Sequence, residues 1–382
     1  RSVETNDFKN AIEEATGYNL HWFFEQWIYK AGCPEFDITS KWEKETGKVT
    51  LSIKQIQKLD SLTGIFRVPV DIEVWVHGSP AIHRVMIEKR EEIFSFDAYQ
   101  EPQLIIFDRE SKILKKIRFE KPLEQWIFQL KNAKAGVDRL LAIDELRWHV
   151  SNELVSTVLA EAALNDGFWA VREDALWALG DAKRPSVIDT LITAYGDRDS
   201  RVRRASVGAL GQYRDQKAVN TLRHAFTNDS SYLVAATALR SLVKIDTSQA
   251  TKYLSEAMAR DSHSEIIRQT ALRLLGERAD ENIMDTIISQ TKYGVEQNLR
   301  VTALDILVSR WKEREDVFFL LLNLINDPNR EIRYAVVRGL VKIGDERAIE
   351  PLKKRLSVEK YTRLNNQIED AIIKIQKANI KE

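Results

Sequence analysis

The chain has 382 residues, 57 Lys+Arg balanced by 57 Asp+Glu, 44% hydrophobic residues and one cysteine, Cys33. This composition supports packed cores and excludes global disorder, and one cysteine excludes an internal disulfide scaffold or a multi-cysteine metal site. Residues 1–120 carry 17 basic and 20 acidic side chains and the rest 40 and 37, a balance that argues against a general nucleic-acid binder; no apolar run approaches the ~18 residues of a membrane span.

The chain starts at Arg1 rather than Met and carries no signal-peptide or transit-peptide pattern, so it reads as a piece of a longer protein. Thr5, Asn6 and Asp7 supply cap and first-turn residues for a helix with Phe8, Ile12 and Ala15 on one face, stopped by Gly17. A second helix runs from Asn19 to Lys30. Its apolar residues surround most of its circumference, which predicts burial. Two such helices are too little to fold alone, so residues 1–35 are expected to be the tail of a larger helical domain.

From residue 36 to 120 the period changes to two. Val49, Leu51 and Ile53 alternate with polar residues, as do Ile72, Val74 and Val76. Thr46-Gly47 and His77-Gly78-Ser79-Pro80 read as turns, and Pro69 suggests an edge, a bulge or a strand break. Six to seven short strands predict a small antiparallel β-sandwich.

Beyond residue 121 a helical pattern repeats. Val171-Arg-Glu-Asp-Ala175-Leu-Trp-Ala-Leu179-Gly180 aligns with Val202-Arg-Arg-Ala-Ser206-Val-Gly-Ala-Leu210-Gly211, and copies start at 138, 171, 202, 234, 267, 299, 332 and 364. A period of 31–33 residues with two helices per copy predicts a HEAT-like α-solenoid of about eight repeats over residues 121–382. Gly180 and Gly211 are expected to end helices, and Trp148, Trp169, Trp177 and Trp311 to fill the core. The fold class is therefore mainly α with a small all-β domain.

No catalytic, cofactor-binding or metal-binding residue emerges. The six histidines lack the spacing of His-Glu-x-x-His, and no nucleophile elbow, P-loop or dinucleotide fingerprint is present. His21 and Glu25 share a helix face but form no complete site, and Cys33 reads as a packing thiol. The candidate ligand-facing feature is position two of the repeat: Arg172, Arg203, Arg268, Arg300 and Arg333. Stacked, these arginines make either a groove for acidic ligands or a structural ladder. The acids six residues upstream, Asp166, Asp197 and Asp327, favour the ladder.

Thr5-Asn-Asp-Phe8, Ala15-Thr-Gly17, Leu20-His-Trp-Phe-Phe24-Glu-Gln-Trp27-Ile and Gly32-Cys-Pro34 resemble the end of the catalytic domain in the aminopeptidase N family of gluzincins. Phe66-Arg-Val-Pro69-Val and Leu104-Ile-Ile-Phe-Asp108 resemble strands of the sandwich that follows there. The resemblance implies a zinc-dependent parent that removes N-terminal residues from peptides. The family's zinc, amine-binding and oxyanion motifs are absent, so zinc is expected in the full-length parent and none in this chain. It implies as partners the chain's own upstream catalytic domain and the parent's peptide substrate; a protein on the solenoid is a further candidate, and the charge balance and the apolar runs argue for no nucleic acid and no membrane span. A non-catalytic scaffold, as in a large transcription-initiation subunit of the same three-segment order, is the alternative. A HEAT-like DNA-binding array is disfavoured by the 40:37 charge balance.

Overall fold

The computed structural model describes residues 2–182, 184–278 and 281–379. The chain divides into two compact units, residues 1–182 and 183–382.

The first unit opens with α1 (Thr5–Thr16). Glu4 and Asp7 form its capping box, and Gly17 closes it at φ 72° with its amide on the Glu13 carbonyl. The next helix, α2 (His21–Phe24), is one turn that passes into a π-turn over Glu25–Tyr29. The expected burial fails here. Phe24 is buried, but Phe23, Ile28 and Tyr29 are 41%, 53% and 49% exposed. The apolar residues encircle the segment, whereas the sandwich covers one side of it, where Trp27 packs on Phe66 at 5.4 Å.

Seven strands follow: β1 (Glu35–Glu43), β2 (Lys48–Gln55), β3 (Val68–Val76), β4 (Ser79–Ile87), β5 (Glu91–Asp97), β6 (Leu104–Phe107) and β7 (Lys116–Phe119). They form two sheets, ordered β5-β2-β1-β7 and β4-β3-β6. The inward residues Phe36, Ile38, Val49, Leu51 and Ile53 of one sheet meet Val70, Ile72, Ile105 and Phe107 of the other, the alternation that a two-sheet core demands. His77 and Gly78 both have positive φ, which suits the tight β3–β4 hairpin.

The sandwich is not wholly antiparallel: β7 pairs parallel with β1, Glu35 opposite Lys116 and Ile38 opposite Phe119. The buried Asp108, at φ 56°, makes this possible. Its carboxylate accepts from the Lys112 and Ile113 amides and from Lys115 Nζ, turning the chain from one sheet to the other. Pro69 lies in the central strand of its sheet. Its position pairs with Met86 of β4, while β6 pairs only with Ile72–Trp75, so the missing amide costs no ladder bond on the β6 side.

β3 is buried on both faces. Its outward Trp75, with Leu104 and Ile106 of β6, packs against Phe128 and Ala133 from the first helical pair. That pair is α3 (Leu123–Asn132) and α4 (Gly136–Leu146), followed by α5 (Glu153–Asn165) and α6 (Trp169–Asp181). Gly180 sits inside α6 rather than after it. Trp148 is 81% exposed and Trp177 is 37% exposed, so neither fills the core.

The second unit contains α7 (Ile188–Ala194), α8 (Ser200–Leu210), α9 (Gln216–Asn228), α10 (Tyr232–Ile245), α11 (Ala250–Met258) and α12 (Ile266–Arg278). It continues with α13 (Glu281–Ser289), α14 (Gln297–Trp311), α15 (Glu315–Leu324), α16 (Arg330–Ile343), α17 (Ile349–Leu356) and α18 (Thr362–Asn379). Each even-numbered helix packs on the next, forming one layer backed by the odd-numbered helices. The fifth repeat position, Ser206, Ala238, Ala271, Ala303, Val336 and Ile368, is fully buried between them. Gly211 does follow α8, but with φ −65° it is no left-handed stop. A Cβ there would lie 2.4 Å from Ser241 Oγ, so the glycine permits a close approach of α8 and α10. Among the described residues no helix is long and apolar enough to cross a membrane.

Candidate functional site

Position two lies near the start of each even-numbered helix, so its side chain reaches back toward the turn between paired helices. The structure gives each arginine a defined set of partners. Arg203 sets its fork on Asp229, with Nε–Oδ2 2.9 Å and Nη2–Oδ1 3.0 Å, and Nη1 donates to the Asp197 carbonyl at 3.0 Å. Arg300 grips Asp327 and donates Nε to the Thr291 carbonyl at 2.8 Å. Arg333 binds Glu359 through Nε at 2.8 Å and Nη2 at 3.1 Å, with Nη1 on the Asp327 carbonyl at 2.8 Å. Arg172 is buried and its Nη1 donates to the Asp166 carbonyl at 2.8 Å.

The acid six residues upstream is therefore involved, but through its main chain. The carboxylate that takes the fork of Arg203, Arg300 or Arg333 lies 26 or 27 residues downstream. Asp327 plays both parts, its carboxylate on Arg300 and its carbonyl on Arg333. Each acid also caps its own turn: Asp229 Oδ1 accepts the Ser231 amide at 2.8 Å and Asp327 Oδ1 the Asn329 amide at 2.9 Å. Carboxylate and guanidinium thus hold successive helical pairs in register.

Two ladder members were hidden in the sequence. Arg139 forks onto Asp166 at 2.7 and 2.9 Å; it is position two of the degenerate copy at 138, which is where the pattern pointed. Glu359 replaces the expected aspartate. Arg268 departs from the rule. Its repeat follows one with Ala235 at position two, and its guanidinium turns to Asp261 and Glu265 on its own approach segment.

The electrostatics follow from this packing. Burial pushes the Glu359 carboxyl up, but the hydrogen bonds of Arg333 and Arg355 outweigh it and hold the group down at about 2. Asp229 is likewise opposed by burial and held below the ordinary carboxylate value by Arg203 and the Ser231 amide. Arg203, Arg300 and Arg333 thus have their forks occupied, and a ligand carboxylate would have to displace a protein one.

Two other polar clusters belong to the first unit. Asp138, buried at the start of the repeats, accepts the Glu110 amide at 3.2 Å, and burial raises its carboxyl pKa. Lys121 Nζ lies 4.2 Å from the Trp126 ring centroid and 5.0 Å from that of Phe119, and bonds Gln129 Oε1 at 2.9 Å. Desolvation lowers its amine to about 7, against the pull of Asp138 and Glu145. Glu25 lies 3.7 Å from Lys30, and Cys33 is a half-buried free thiol. No group of three or more His, Cys, Asp or Glu able to hold a metal ion occurs among the described residues.

A family model for HEAT repeats matches residues 156–242 and 284–373. A solved structure of aminopeptidase A from Legionella pneumophila, in complex with aspartic acid, resembles the chain at TM-score 0.60 and 14% identity, covering 98% of this chain and 52% of that one. At that identity the likeness is one of fold. The transcription initiation factor TFIID subunit 2 of Drosophila melanogaster is 23% identical over 209 residues, 46% of this chain and 17% of that protein. The chain thus spans about half the length of the aminopeptidase and less than a fifth of the initiation-factor subunit.

Proposed function

We propose that this chain is the non-catalytic half of a larger zinc-dependent aminopeptidase. In this reading residues 1–35 complete the catalytic domain, and the sandwich and repeats support it and shape access for the peptide. The observation that carries the reading is the apolar surface of the N-terminal helices. Phe8, Tyr18, Phe23, Ile28 and Tyr29 are 58%, 72%, 41%, 53% and 49% exposed within one short segment, the signature of a face that packs on a further domain. The fold likeness to half of an aminopeptidase supports it. Among the described residues no group of side chains fits a zinc ion, and in this reading zinc and every hydrolytic step belong to the catalytic domain.

The test compares the isolated chain with the same chain joined to the residues that precede it in its gene. The isolated chain is expected to bind no zinc and to leave aminoacyl-anilides intact, and the joined protein to hold zinc and cleave them. Phe23→Asp with Ile28→Asp should destabilise the joined protein far more than the isolated chain. Zinc-dependent turnover by the isolated chain overturns the proposal.

The match to an initiation-factor subunit favours one other reading, a non-catalytic protein-binding scaffold. A joined protein that folds, binds no zinc and shows no hydrolysis selects it.

A further inference from the structure

Three arginines of the last repeats stand outside the ladder and are exposed: Arg330 and Arg338 on α16, and Arg363 on α18. They face a groove of about 460 Å³, which Tyr334 and Tyr361 also line. The one acid in its wall, Glu331, is taken by Arg330 Nε at 3.0 Å. Arg338 approaches Asp305 only at 3.7 Å. The groove therefore carries a surplus of positive charge in a chain whose net charge is zero.

The groove is built rather than merely solvated. Glu359, fixed by Arg333 and Arg355, accepts the Tyr361 amide at 3.2 Å through its carboxylate, and its carbonyl accepts Asn365 Nδ2 at 3.3 Å. Arg330 and Arg333 lie 5.3 and 5.9 Å from the centroid of the Tyr361 ring. Across the groove Gln367 Nε2 donates to the Tyr334 carbonyl at 3.4 Å, setting the distance between the two helices. Such a platform binds without first having to order itself.

Its spacing is selective. Residues 330, 334 and 338 recur every four positions, so they share one face of α16, and two turns separate the outer arginines by roughly 12 Å along the axis. In an extended peptide, side chains four residues apart point the same way at about 13 Å. Guanidinium forks match carboxylates in pairs of parallel hydrogen bonds, and tyrosine faces accept the backbone and apolar atoms between them. Nucleic acid suits the groove less well, because Glu331 on α16, Asp370 on α18 and Asp305 on the neighbouring α14 break up any extended basic track.

We propose that the groove between α16 and α18 docks an extended acidic segment of a partner protein. Its alternate carboxylates are held by Arg330, Arg338 and Arg363, and its chain lies across Tyr334 and Tyr361. This goes beyond the aminopeptidase reading and does not depend on it.

The test uses fluorescence anisotropy of the whole chain with a fluorescein-labelled nonapeptide carrying glutamate at alternate positions. Saturable, salt-sensitive binding is expected, and Arg338→Gln and Arg363→Gln should each weaken it about tenfold, the scale of one charge-assisted pair. Arg240→Gln, an exposed arginine of α10, should leave it unchanged, and melting temperatures check that all variants fold. Equal binding of the glutamine version of the peptide, indifference to both groove substitutions, no saturation by about 1 mM, or displacement of the peptide by duplex DNA would each overturn the proposal. No catalytic measurement enters, so its failure leaves the aminopeptidase reading where it stood.

Discussion

Replacing Glu359 by Gln isolates what one rung of the ladder contributes. The Glu359 side chain is 1% exposed, with Arg333 at 6% and Arg355 at 15%. Four guanidinium N–H groups, two from each arginine, and the amides of Lys360 and Tyr361 converge on its two oxygens. A glutamine retains one oxygen, and its NH₂ must face donors. At least two charge-assisted bonds are lost, each worth about 1.5–3 kcal/mol, and two buried cations lose their counter-charge. The expected cost is about 3–5 kcal/mol, the scale for breaking one side of a buried ion pair. Urea unfolding followed by circular dichroism measures it at pH 7.

The pH dependence carries the mechanism. The folded carboxyl titrates near 2, below its ordinary 4.5. Its stabilisation is therefore full above about 4.5 and disappears as pH falls toward 2, so the gap between wild type and Glu359→Gln should narrow across that window. Glu331→Gln is the control, with its 41%-exposed side chain on Arg330, and should cost at most about 1 kcal/mol. A Glu359→Gln penalty under about 1 kcal/mol, or one that stays constant from pH 7 to pH 3, would refute the electrostatic account.

Gly211→Val should lower the melting temperature by an amount equivalent to about 1–3 kcal/mol, because Ser241, held by its bond to the Val207 carbonyl at 2.8 Å, cannot move away. Leu210→Ala, at a fully buried position between α8 and its neighbours, should cost about 2–5 kcal/mol in the same assay. Lys121 gives the opposite pH signature to Glu359. Its folded pKa of about 7 lies below the ordinary 10.5, so the unfolded chain binds more protons between those values and stability should rise with pH from 7 to 9. Urea midpoints at the two pH values should show that rise in the wild type and not in Lys121→Met.

The period of the repeats was legible because it comes from backbone geometry and burial. Ala238, Ala271 and Ala303 recur where adjacent helices touch, and all are fully buried. Strand alternation was legible for the same reason, down to Val49, Leu51 and Ile53 pointing inward. What escaped lies in relations between distant segments. Nothing local at Arg203 says that its carboxylate waits at Asp229 rather than Asp197, since both fall in turns at helix ends. Gly211 resembles a helix stop from its neighbours alone; Ser241, thirty residues on, decides what it is for. The parallel β1–β7 pairing hinges on Asp108, a single carboxylate that organises its own corner. The N-terminal aromatics announced a buried helix, yet burial depends on what lies opposite, and within this chain only one side of that segment is covered.

The offset between arginine and acid at the last two joints also makes that part of the array a set of interchangeable pieces. Arg300 and Arg333 sit at equivalent points, and their acids lie 27 and 26 residues further on. Excising residues 301–333 would bring Glu359 to 26 residues beyond Arg300, recreating the joint that the deletion removed. Excising half that length would strand a guanidinium opposite no acid. Where the offset holds, a whole repeat can thus be lost or duplicated without leaving a buried charge unanswered, while the copies around Ala235 and Arg268, which break it, are not interchangeable in this way.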